Sequence, residues 1–73
     1  MNIKIYGYEI DAIDKLLEMN EVTIAGDAHA FLALAEFFRR CAAEIQAESN
    51  WEHEHFRHDA QPEIVAYNIR LVS

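Results

Sequence analysis

A single cysteine, Cys41, rules out an internal disulfide and removes the usual staple of small secreted domains, which points to a reducing, cytoplasmic setting. Two glycines and one proline are too few for a disordered or fibrous segment. No stretch approaches the roughly 20 apolar residues of a membrane span. The opening MNIKIYGYEID has no basic leader followed by an apolar run, so neither secretion nor membrane insertion is expected. Basic side chains are scarce: 6 lysines and arginines against 13 aspartates and glutamates leave a net charge of −7. That charge repels nucleic acid and anionic lipid and favours a basic partner.

What is present suffices for one domain over residues 1–73, with 52% hydrophobic side chains and 11% aromatics. A core of this size is expected to supply about 3 to 5 kcal/mol of net stability, so association with another molecule is a natural expectation.

Along the chain, NIKIYGYE (2–9) alternates Ile3, Ile5 and Gly7 with Lys4, Tyr6 and Tyr8, the period of a strand with one buried face. IDAIDKLLEMN is ambiguous: Ile10, Ile13 and Leu17 fit a short helix over 9–19, whereas the β-branched run Val22, Thr23, Ile24 favours a turn at 11–15 and a strand over 16–25. Gly26 and Asp27 supply a breaker and an N-cap for the helix AHAFLALAEFFRRCAAEIQAE. Its expected apolar stripe is Phe31, Leu34, Phe38, Cys41 and Ile45, with Phe37 at the margin. Ser49 and Asn50 end it. WEHEHFRH (51–58) reads as a strand, DAQP as a turn and EIVAYNIRLV as a half-buried strand alternating Val65, Tyr67, Ile69 and Leu71 with Ala66, Asn68 and Arg70.

The order strand, strand, helix, strand, strand predicts an α+β fold: an antiparallel four-stranded sheet with one helix across one face. The uncovered face would carry Tyr6, Tyr8, Asn68, Arg70 and one alternate set of WEHEHFRH. In a strand, His53, His55 and Arg57 point one way with Trp51, and Glu52, Glu54, Phe56 and His58 the other.

The histidine cluster admits several readings. His53 and His55, two apart on a strand, can chelate zinc or copper, but the chain has no CxxC pair and no other distant histidine than His29. HEHFRH resembles the HxHxDH motif of metallo-hydrolases with Arg57 in place of the aspartate, and HExxH fails because Arg57 stands four after His53. Thr23, Ser49 and Ser73 lie in no nucleophile motif, and Cys41 reads as a small buried hydrophobe. Catalysis and a cofactor are therefore not expected. Taken singly, the cluster residues are a core-edge tryptophan, half-buried or solvated histidines and solvated glutamates. As a patch, Glu52, Glu54 and His58 beside Tyr6 and Tyr8 suit a basic protein surface.

EVTIAGDAHAFLALAEFFRRCAAEI, followed by a short loop and HEHF, resembles the bacterial polymorphic-toxin immunity proteins, in particular the small family catalogued as immunity protein thirty-two. The similarity runs from Tyr8 and Asp11 through Glu21 to Ile24, along the helix to Ile45, and onto Glu54, His55 and Phe56. The resemblance implies a cytoplasmic α+β protein that neutralises a cognate toxin, often a nuclease, by occlusion and without catalytic residues. Glu54 and His55 are the matching polar pair. Partner-contact candidates are thus Tyr6, Tyr8, Glu52, Glu54, His55 and His58. A metal-binding module built on His53 and His55, and a homodimer pairing its open faces, are the alternatives.

Overall fold

Two hairpins flank one helix in the computed structural model, which describes residues 3–57 and 63–71, the side chain of Ile13 excepted. Strand β1 (Ile5–Glu9) and strand β2 (Ala12–Met19) pair antiparallel, with Ile5 opposite Met19, Tyr6 opposite Glu18 and Gly7 opposite Leu17. Because directly opposed residues share a face, Ile5, Gly7, Leu17 and Met19 line one side and Tyr6 and Glu18 the other. Ile10 and Asp11 make the turn, and the register shifts between Gly7 and Glu9 beside it. The expected turn at 11–15 and strand over 16–25 are therefore displaced, and the competing helix over 9–19 does not form.

Residues 20–27 carry no regular structure, so Val22, Thr23 and Ile24 are not in a strand. The reason is pairing. Among the described residues the β1 ladder ends where Ile5 meets Met19, so the β-branched residues Val22 to Ile24 bond to no described strand, and propensity without a partner does not make a strand.

The helix α1 (Ala28–Ala47) begins where Asp27, in extended conformation, accepts a 2.9 Å hydrogen bond from the Ala30 amide. This satisfies one of the donors every helix start leaves open. Leu34, Phe37 and Cys41 are the buried side chains of the helix. The expected stripe is thus corrected: Phe37 is 3% exposed, whereas Phe31 and Phe38 are 46% and 45% exposed. At about 100° per residue the buried face is turned by roughly 45° from that stripe. What sets it is the position of the second hairpin.

That hairpin pairs β3 (His53–Phe56) with β4 (Ile64–Tyr67) in antiparallel register: His53 opposite Tyr67, Glu54 opposite Ala66, His55 opposite Val65 and Phe56 opposite Ile64. The Phe56 ring stacks on Phe37, centroids 5.2 Å apart, which fixes the face of Glu54, Phe56, Ile64 and Ala66 toward the helix. Arg40 lies over the same Phe37 ring at 5.8 Å, and Glu44 accepts a 2.8 Å bond from the half-buried Trp51 indole.

Asn68, expected on the uncovered face, is 4% exposed. Its amide nitrogen Nδ2 donates to the carbonyls of Trp51 (2.9 Å) and Ser49 (3.3 Å), and its Oδ1 accepts from the Arg70 amide. It fastens the end of β4 to the segment leaving the helix. The chain then turns into a short 3-10 helix, Ile69–Leu71, where continued strand was expected.

The α+β class holds, but the strands form two separate two-stranded sheets in place of one four-stranded sheet. Packing between elements is confined almost entirely to β1 with β2, β3 with β4, and α1 with β3. With four residues each, β3 and β4 are short, and β3 packs on the helix. The DAQP turn lies outside the described residues. Among the described residues, no helix is long and apolar enough to cross a membrane.

Candidate partner-binding surfaces

The open face of the second hairpin is built by alternation: with Phe56 committed to the helix, His53, His55, Val65 and Tyr67 point away from it. The His53 ring stacks on Tyr67 at 4.8 Å and meets His55 edge-on at 5.2 Å. His55 Nδ1 contacts one oxygen of the Glu63 carboxylate, and Arg57 Nε donates to that same oxygen at 2.8 Å. These two donors, the arginine first, hold the Glu63 carboxyl below the usual carboxylate range. His53 Nδ1 lies 3.2 Å from a Glu52 oxygen but makes no hydrogen bond.

Apart from His53 Nδ1, this arrangement engages its polar groups with one another. Among the described residues, no three histidine, cysteine, aspartate or glutamate side chains converge to hold a metal ion. Cys41 is buried, and burial, with Glu44 adding to it, pushes its thiol up, which keeps it from acting as a thiolate.

The first hairpin is the less engaged of the two. Tyr6 and Tyr8 are 46% and 56% exposed. A shallow open groove of about 230 Å³ runs between Ile5, Gly7, Leu17, Met19 and Val22, bordered by the tyrosines. Glu9 lines it too, and the exposed carboxylates of Asp11, Asp14, Glu18 and Glu21 belong to the same hairpin or lie just beyond it in the chain. Among the described residues none of the five makes an ion pair. The bridges lie elsewhere: Arg39 with Glu36, Arg40 with Glu44, and His53, His55 and Arg57 with Glu52 or Glu63.

The six residues expected to form one contact surface are not brought together. Tyr6 and Tyr8 sit on β1, whereas Glu54 and His55 belong to the second hairpin and Glu52 immediately precedes it. Even there they divide, because Glu54 shares the helix-facing side with Phe56 and His55 points the opposite way. Residue His58 lies outside the described residues. Sequence reasoning passed over two features. Glu63 becomes a partner of Arg57 and His55 only once Phe56 is set opposite Ile64. The crowding of five carboxylates into residues 9–21 against Lys15 alone was open to simple counting along the chain.

Compared with protein-family models, with curated proteins and with solved structures, the chain matches none.

Proposed function

We propose that this chain is a non-catalytic inhibitor of the immunity-protein kind, which binds a cognate toxin with a basic surface in the cytoplasm of the producing cell and blocks it by occlusion. The observation that carries the reading is the first hairpin: an exposed apolar and aromatic surface set among carboxylates that make no ion pair among the described residues. Aromatic anchors bordered by charge of one sign are how a small protein recognises an oppositely charged surface, with the charges speeding encounter and the rings supplying contact area.

Two further observations support it. The net charge of −7 complements a cationic nuclease cleft. Leu34, Phe37 and Cys41 are the buried apolar side chains among the described residues, so much of the hydrophobic content remains available for an interface. The sequence resemblance to immunity proteins points the same way. Occlusion requires neither a cofactor nor a metal.

The test is genetic and then biochemical. A secreted protein with a toxin-like C-terminal domain encoded beside this chain is expected, and co-expression with that domain should relieve its toxicity through a stable complex. Toxicity unchanged by co-expression would sink the reading.

A further inference from the structure

We infer that the groove on the β1–β2 hairpin, and not either face of β3–β4, is the docking site, and that its occupant is an apolar side chain of a basic protein flanked by lysine or arginine. The inference rests on the inhibitor reading for the identity of that protein, and on the groove itself for the chemistry.

The groove follows from register. Ile5 opposite Met19 and Gly7 opposite Leu17 place three large apolar side chains around a position with no side chain. A methyl group at Gly7 would lie 4.0 Å from Met19 Cγ, an ordinary contact, so the opening there is space that a residue could occupy. Val22 and the strand residues Tyr6, Tyr8 and Glu9 complete the lining. The apolar floor selects an apolar insert.

The surrounding charge selects its carrier. Glu9, Asp11, Asp14, Glu18 and Glu21 meet only Lys4 and Lys15 in this part of the chain, and no ion pair among the described residues consumes them. A second copy docked hairpin to hairpin is excluded by the same count, since that arrangement doubles the carboxylates on both sides with few cations between them. The open face of β3–β4 is excluded on other grounds. Its rings stack on one another, and Glu63 is taken by Arg57 and His55.

The experiment uses the isotope-labelled full chain and three short synthetic probes: a peptide alternating lysine with leucine, one alternating glutamate with leucine, and one of lysine alone. The lysine–leucine peptide should shift amide signals of residues 5–24 and bind at least about tenfold more tightly than either control, as expected when charge and apolar contact act together. Glu9→Lys and Gly7→Leu should each weaken it by about tenfold, and Glu54→Ala by less than about twofold, with helix signals unchanged in all three.

Shifts confined to residues 53–67, equal binding of any control peptide, or a dimer that disappears with Tyr8→Ala would each overturn the assignment. The toxin co-expression separates the two claims. If the wild-type chain fails to protect while the peptide still maps to the hairpin, the inhibitor reading falls and the groove stands. If Gly7→Leu and Glu9→Lys protect as well as the wild type, the groove assignment falls and the reading stands.

Discussion

The ring of Phe56 stacks on that of Phe37 with centroids 5.2 Å apart and planes inclined by 29°, and through this contact the second hairpin is held to the helix. Phe37 is 3% exposed and also lies beneath Arg40, so its truncation removes burial on both sides. Phe37→Ala is expected to cost about 3 to 5 kcal/mol, comparable with the whole net stability of so small a core. The neighbouring Phe38→Ala, at a half-exposed position, should cost about 1 kcal/mol or less. Urea denaturation followed by circular dichroism checks both. A Phe38 variant less stable than the Phe37 variant would place the core on the other side of the helix.

Asn68 is expected to matter out of proportion to its size. Its amide bonds two carbonyls from the segment after the helix and its oxygen holds the Arg70 amide, all in a part-buried setting. Asn68→Ala leaves these groups short of partners, and the cost should be about 2 to 3 kcal/mol. Asn68→Asp keeps the shape but turns an oxygen toward the two carbonyls, so at neutral pH it should destabilise at least as much. Thermal melts of the two variants would decide. An Asn68→Ala protein within about 0.5 kcal/mol of wild type would mean that water replaces the side chain without loss.

The start of the helix gives a smaller, cleaner test. Asp27 caps it through the Ala30 amide, and the first turn contains no acidic residue to take its place. Asp27→Ala should cost about 1 kcal/mol, and Asp27→Asn, which keeps the acceptor, clearly less. The urea midpoint of each variant measures it.

How far the sequence foretold this structure depends on whether local chemistry or pairing decided each element. The helix was legible because its cap, its alanine content and its freedom from glycine and proline act within a few residues of one another. The burial of Cys41 followed from its place among apolar helical neighbours. The burial of Phe37 in preference to Phe38 was not legible, because both lie near the apolar face and only the docking of Phe56 chooses between them. The same applies to the strands. Val22 to Ile24 have the composition of a strand, but among the described residues the ladder ends at Met19 opposite Ile5. On the candidate site, Tyr6 and Tyr8 were rightly read as exposed, whereas Glu54 and His55 were set on their faces by Phe56, a contact between elements that alternation alone does not reveal.

Glu63 supplies a prediction with a definite sign. Its carboxylate accepts from Arg57 and contacts His55, the arginine contributing most, and both lower its folded pKa. A carboxylate with a depressed folded pKa contributes fully above its unfolded value of about 4.3, and that contribution is lost as pH falls through the lower folded value. The hairpin should therefore loosen on acidification below the ordinary glutamate range and not on alkalinisation through neutrality on this group's account. Carbon-detected titration should give Glu63 a midpoint below that of free glutamate, and Arg57→Ala should raise it further than His55→Ala does. Glu63→Gln should make stability less dependent on pH in that acidic window while leaving the first hairpin's amide signals in place. If the Glu63 midpoint does not move in the Arg57 variant, the pair is solvated and contributes nothing to holding β3 against β4.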